Sequence, residues 1–250
     1  MRQRDIQAVL FDVFGTLVDW RSGVARALRS FADRRGITLD ADSFATQWRA
    51  KYRPSIDVVN SGQREYTPLD QLHLENLVEL LDENAIDTRR IPPAELTWLN
   101  QSWQRLDPWA DCVAGLHLLK RQFMVGTLSN GTVSLLTHLS RHAGLPWDAV
   151  IGSDVLRVYK PNPTAYLRAA QLLDIAPESI MLCAAHNDDL HAAQALGFRT
   201  AFVRRPIEYG PGQRSDLEPT GDYDVVASSL TDAARALCSE SDGAVLSGVS

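Results

Sequence analysis

The chain has little of what marks the more specialised protein classes. Its 250 residues include only three cysteines, Cys112, Cys183 and Cys238, an odd number with no clustering. Such spacing supports neither a disulfide framework nor a zinc site and leads us to expect reduced thiols in a cytoplasmic protein. Long apolar runs are missing as well: none approaches the ~18 residues of a membrane span. The opening MRQRDIQ lacks the apolar core of a secretory signal. Positive charge is in short supply, with 25 Lys and Arg against 31 Asp and Glu and a formal charge of −6. That balance argues against nucleic acid or an anionic membrane as a main partner. A small anionic substrate is still allowed, because local groups rather than net charge bind it. No internal repeat is visible. What remains is an ordinary globular composition, 45% hydrophobic and 22% charged, in a chain long enough for one or two domains with a sizeable core.

Two regimes then separate. From about residue 111 onward, short apolar runs alternate with amphipathic segments. Residues 123–128, 149–151, 180–184 and 200–203 read as strands. Residues 133–142, closed by Gly144, 163–173, with proline in the first turn, and 189–196, ended by Gly197, read as helices. Residues 8–11 add a further strand of the same uniformly apolar kind. Apolar strands separated by helices imply a parallel sheet covered on both faces. Residues 21–108 carry no convincing strand; helices are expected at about 21–35, 42–60, 68–83 and 93–104. In the third, Thr67 is a candidate cap, Pro68 the first helical residue, and Leu69, Leu72, Leu77 and Leu80 one stripe. The expected organisation is a core from residues 1–20 and 109–238, a helical cap from 21–108, and a disordered tail from 239–250.

The loops after the strands carry the chemistry. Asp12 ends the first strand, Ser129 and Asn130 end the second, Lys160 follows the third, and Ala185 to Asp189 follow the fourth. In a parallel sheet all of them project to the edge where ligands bind. Each has an ordinary explanation taken singly: Asp and Asn cap helices, Ser-Asn-Gly makes turns, and a lysine before proline is commonly a solvated loop. Their joint placement at one edge is what marks a site.

Asp12-Val13-Phe14-Gly15-Thr16, Leu128-Ser129-Asn130, Lys160-Pro161 and Asp188-Asp189, in that order, resemble the four motifs of the haloacid dehalogenase superfamily. The pair Trp48-Arg49 is similar to the Trp-Arg of its type II (S)-2-haloacid and haloacetate dehalogenases. The resemblance spans residues from about 6 to 230 and implies an α/β, Rossmann-like core with an inserted helical cap. Two departures choose between activities. Phosphatases of the superfamily carry a second aspartate two residues after the nucleophile, which protonates a departing alkoxide. Here that residue is Phe14, and halide, already a stable anion, needs no proton. Aligned on Asp189 and Gly197, the usual Gly-Asp becomes Ala184-Ala185, which removes a hard-cation ligand.

The resemblance therefore implies a metal-independent dehalogenase with no cofactor. Asp12 would attack the halogen-bearing carbon, expel halide and form an ester that water hydrolyses to a 2-hydroxy acid. Lys160 would keep Asp12 ionised, and Asp189 would orient Lys160 or activate the water. Thr16, Ser129 and the backbone N–H groups of Val13 and Phe14 would bind the substrate carboxylate. Arg49 and Asn130 would stabilise the departing halide, unless Arg49 is a surface ion pair. Tyr166 matches a family tyrosine near the site, and a place in the helix–sheet core is the alternative. His186 stands where the family has asparagine: it donates, helps activate water, or merely caps the next helix. Ala184 replaces a serine, which removes one side-chain contact to the carboxylate. Expected partners are a small halogenated carboxylate and a second copy in a homodimer. Competing readings are a phosphatase or phosphonate hydrolase that tolerates Phe14, and a silent relative that only binds. Preferred halogen and chain length stay open, since Trp48, Trp98, Trp103 and Trp109 fit either a small pocket or plain cap packing.

Overall fold

A computed structural model describes residues 6–242. Six strands form one wholly parallel sheet: β1 (Ala8–Phe11), β2 (Met124–Leu128), β3 (Ala149–Ile151), β4 (Ile180–Ala184), β5 (Arg199–Val203) and β6 (Val225–Ala227). Their spatial order is β3-β2-β1-β4-β5-β6. The chain moves outward from β1 to one side, then returns to build the other half, so the strand order reverses beside β1. A crevice opens at the carboxyl ends at such a switch point. Phe11 is level with Thr127 of β2 and Cys183 of β4, and Asp12 comes next, its N–H donating to the Cys183 carbonyl at 3.1 Å.

The helices are α1 (Trp20–Arg35), α2 (Ala41–Asn60), α3 (Leu69–Glu83), α4 (Pro93–Asn100), α5 (Cys112–Leu119), α6 (Val133–Ala143), α7 (Ser153–Leu156), α8 (Pro163–Leu173), α9 (Asn187–Gln194) and α10 (Leu230–Asp242). Successive residues of β1 serve opposite layers. Val9 and Phe11 join a core with Leu116 of α5, Leu136 of α6 and Leu237 of α10, and Ala8 and Leu10 join Ala165 of α8 and Leu190 of α9. Apolar demand on both faces is why these strands show no alternation in sequence. In β2, Gly126 is required by close approach: a Cβ there would lie 2.9 Å from the Ala149 carbonyl oxygen.

Between β1 and α5 the described chain is helical. Asp19 caps α1 by accepting from Ser22 N at 3.0 Å, Gly36 closes it in the left-handed region with φ 63°, and Asp40 caps α2 by accepting from Ser43 N at 3.0 Å. The third helix differs from expectation. Pro68 occupies its cap position, and the Thr67 hydroxyl instead donates to the Glu65 carbonyl at 3.1 Å. The fourth helix stops at Asn100, and residues Gln101–Gln104 tighten into a 3-10 turn. The helical insertion leaves and rejoins the core through one narrow stem. Val18 pairs antiparallel with Pro108, Asp19 N–H donates to the Asp107 carbonyl at 3.0 Å, and Trp109 N–H donates to that of Leu17 at 3.0 Å. Helix α10 runs to Asp242, into the segment 239–250 expected to be disordered, whose residues from 243 lie outside those described. Among the described residues, no helix is long and apolar enough to cross a membrane.

Candidate active site

Asp12 follows the last residue of β1 and sits buried at the floor of a cavity of about 600 Å³ between sheet edge and helical insertion. Its two oxygens have different partners. Oδ1 accepts from Lys160 Nζ at 3.2 Å. Oδ2 accepts from the Thr16 hydroxyl at 2.8 Å and lies 3.3 Å from His186 Nδ1. Burial opposes the charged carboxylate, but Lys160, His186 and Thr16 outweigh it and hold Asp12 well below the usual carboxylate range.

Lys160 is shared. Its ammonium also donates to Asp189 Oδ2, and the Tyr166 hydroxyl donates to Asp189 Oδ1 at 2.6 Å. Burial would favour the neutral amine, yet the two carboxylates raise Lys160 above the ordinary lysine value. Asp189 moves the other way from Asp12: burial and the Asp12 charge raise it despite Lys160. Asn130 fixes the loop bearing the lysine. Its Oδ1 accepts from Lys160 N at 2.7 Å, and its Nδ2 donates to the Lys160 carbonyl at 3.1 Å and to the Tyr52 hydroxyl at 2.6 Å.

The roof comes from α2, α3 and the Gln101–Gln104 turn. The Arg49 guanidinium lies 4.3 Å from the Tyr52 ring centre and 5.7 Å from that of Trp20. Desolvation would lower it, but Tyr209, Tyr52, Glu208 and Asp12, acting at a distance, raise it above its ordinary value. Among the described residues it is thus a cation in the cavity wall with no hydrogen-bonded carboxylate. The Phe14 ring meets Trp103 edge-on at 6.1 Å, and Trp103 stacks on His73 at 4.5 Å. Burial, helped by Arg49, pushes His73 down to about 3, so it is neutral. Trp48, paired with Arg49 in sequence, is buried and donates its indole N–H to the His73 carbonyl at 2.9 Å.

Asp12, Phe14, Arg49, Ser129, Asn130, Lys160, His186 and Asp189 all line the cavity; Val13, Thr16 and Tyr166 do not. The Val13 side chain lies in the core. The Thr16 hydroxyl, expected to bind the substrate carboxylate, is committed to Asp12 and accepts from Ala185 N at 2.9 Å. Tyr166 meets both alternatives, with its ring beside Phe198 in the helix–sheet core and its hydroxyl on Asp189. His186 precedes α9 but makes no capping bond; its ring turns to Asp12 and Glu208. Arg49 is no surface ion pair. Sequence reasoning missed Glu208, Tyr52, His73 and Tyr209. Glu208 and Tyr209 follow β5, and the loop after that further strand end reaches both; Tyr52 and His73 carry no local signal.

A divalent cation, which many relatives of this fold use, does not suit this donor set. Among the described residues no three His, Cys, Asp or Glu side chains converge as ligands. The Lys160 ammonium lies between Asp12 and Asp189, and Ala185 has no side-chain oxygen to offer, its backbone N–H being given to Thr16. A methyl group and an ammonium take the places a hard cation would need as oxygen ligands.

An ionised carboxylate at the carboxyl edge of a parallel sheet, braced by lysine under a helical roof, has the geometry and charge suited to attack on an electrophilic centre. The chain belongs to the haloacid dehalogenase-like hydrolases, whose family profile matches residues 6–197. It is 31% identical to the (S)-2-haloacid dehalogenase of Xanthobacter autotrophicus, across 80% of this chain and 76% of that protein. The solved structure of a defluorinating L-2-haloacid dehalogenase shares 49% identity and a TM-score of 0.93, across 95% of this chain and 99% of the other. An L-2-haloacid dehalogenase from Xanthobacter autotrophicus, solved with chloropropionic acid covalently bound, gives a TM-score of 0.77 at 25% identity, across 93% and 98% of the two chains.

Proposed function

We propose that this hydrolase cleaves the carbon–halogen bond of short 2-haloalkanoic acids, haloacetate and (S)-2-halopropionate among them, giving 2-hydroxy acids through an ester on Asp12 and without a metal. One observation carries the reading. The cavity opposes an ionised, buried carboxylate with a cation, Arg49, free to meet a departing anion, and the residue two places after the nucleophile is Phe14 rather than an acid. Attack by Asp12 on the halogen-bearing carbon forms a C–O bond as the carbon–halogen bond breaks, and halide leaves with the electron pair towards Arg49. Ser129, whose Oγ among the described residues accepts a single weak bond, from Gly131 N at 3.4 Å, is left to receive the substrate carboxylate with the backbone N–H groups of Val13 and Phe14. Water then attacks the Asp12 carbonyl carbon and regenerates the enzyme. A single displacement at a chiral carbon inverts it, so an (S)-substrate gives the (R)-hydroxy acid. The covalently bound relative supports this course. Asn130 acts through Lys160, whose backbone it grips, and not on halide.

The test is halide release from a panel of 2-chloro-, 2-bromo- and 2-fluoroacids, with and without excess EDTA. Turnover unaffected by chelator is expected. Strict dependence on Mg²⁺, or activity confined to phosphate esters, overturns the proposal.

A further inference from the structure

His186 stands between two carboxylates. Its Nδ1 faces Asp12 Oδ2 at 3.3 Å, and its Nε2 faces Glu208 Oε2 at 2.9 Å and Oε1 at 3.1 Å. A neutral imidazole has one N–H and would turn a lone pair on one of these oxygens; two N–H groups satisfy both. Glu208 is built into this place. It is 1% exposed, it accepts the Trp20 indole N–H at 2.9 Å, and it fits only beside a glycine. A Cβ on Gly15 would lie 2.1 Å from Glu208 Oε1. A carboxylate buried so deeply keeps its charge because a cation is next to it.

We propose that His186, held as an imidazolium by Glu208, is the donor that stabilises the negative charge on the Asp12 ester carbonyl during hydrolysis, so that the pair serves the second half-reaction. The assignment rests on the ester reading above. It follows from the asymmetry of Asp12: Lys160 bonds only Oδ1, whereas Thr16 and His186 both address Oδ2. If Oδ1 attacks carbon, Oδ2 becomes the ester carbonyl oxygen with two donors already in place. Water adds to Cγ and gives a proton to Asp189, while the carbonyl π pair moves onto Oδ2. There the His186 Nδ1–H and the Thr16 hydroxyl meet the new charge. The Cγ–Oδ1 bond then breaks with its electron pair on the alkoxide oxygen, which takes the proton from Asp189. The restored Asp12 carboxyl loses its remaining proton to solvent. His186 gives up no proton, and Glu208 is a positioning residue.

The experiment is rapid-quench kinetics with (S)-2-chloropropionate on wild type, His186→Ala and Glu208→Gln, following chloride and the intact-protein mass together. In both variants, chloride is expected to appear as a burst of about one per active site. Ester hydrolysis should then fall by roughly a hundredfold or more in His186→Ala, the loss typical of removing one oxyanion donor. The protein mass should rise by the esterified acid, localised to the Asp12 peptide. Glu208→Gln keeps the shape of the side chain and should show the same split more weakly, with the His186 ring nitrogens titrating at lower pH by ¹⁵N NMR. A purely structural Glu208 would not move that titration. Equal slowing of both phases without ester accumulation, or unchanged kinetics, overturns the assignment. Wild type run beside the variants separates the two readings: if it releases no chloride from haloacids, the proposed function fails, whatever the variants do.

Discussion

Asp12 and Asp189 share one lysine yet titrate in opposite directions. Lys160, His186 and Thr16 together overcome burial at Asp12, whereas Asp189 is buried beside another negative charge and raised. Carboxylates pushed apart in this way divide the work, the depressed one suited to attack and the raised one to take a proton from water. Asp12→Asn is expected to abolish halide release with the fold intact, checked by halide assay beside circular dichroism. In a single turnover in ¹⁸O-water with enzyme in excess, the label should enter the Asp12 carboxylate, and the first product should carry mostly unlabelled oxygen. Label found directly in that product would mean water, not Asp12, attacks carbon. Arg49 gives a second residue-scale expectation. Loss of one charge-assisted hydrogen bond to the departing halide is worth ~1.5–3 kcal/mol, so Arg49→Ala should slow turnover roughly ten- to more than a hundredfold. Stability should change little, because the guanidinium rests on aromatic faces and holds no carboxylate. Unchanged turnover would remove Arg49 from the reaction.

At the scale of elements, the sheet was the most legible part. β1, β4 and β5 are apolar runs bounded by turn residues, and a strand buried on both faces has to read that way. Once the strands were placed, Asp12, Ser129, Lys160 and Asp189 followed, because strand ends converge whatever lies between them in sequence. The missed elements have different causes: α7 has four residues, β6 three, α5, CVAGLHLL, is too uniformly apolar to show a face, and the 13-residue α10 runs into the small, polar segment read as a tail. The missed site residues have a different cause. His73 and Tyr52 reach the cavity because α2 and α3 fold back over the sheet edge, and Glu208 meets His186 from behind because Gly15 leaves it room, so their roles depend on packing between distant segments. Helix α2 can be tested separately from the chemistry it carries. Asp40→Ala removes its N-cap, which should cost ~0.5–2 kcal/mol in thermal or denaturant unfolding. Arg49 and Tyr52 lie turns further along, so kcat/KM should hold. A large fall in kcat/KM at unchanged stability would mean that the start of α2 positions the roof.

Across the whole molecule, the buried charges around Asp12 tie stability to pH with signs that can be worked out group by group. His186 is buried, which alone would lower it, but Glu208 and Asp12 raise it well above its usual ~6.5. The folded state therefore binds this proton more tightly than the unfolded chain. Its stabilisation is complete below ~6.5 and is lost as pH rises towards and through the folded value. Asp12 and Glu208 are depressed and have the opposite sense: their contribution is present above ~3.9–4.3 and is lost as pH falls through their folded values. Asp189, raised, works against them and costs stability once it ionises. The groups facing His186 are Asp12 and Glu208, with Arg49 and Lys160 beyond them, and both cations keep their charge below ~9. Between about pH 6 and pH 9 the difference in stability between wild type and a variant lacking the ring therefore reads the histidine's own proton, because the other groups are common to both. His186→Asn keeps a neutral donor and removes the charge. Thermal unfolding midpoints should place the variant below wild type at the acid end of that range, with the gap closing steadily towards the alkaline end. A gap that stays constant would mean the ring carries no charge in the folded protein, and among the described residues Glu208 would then have only the more distant Arg49 as counter-charge.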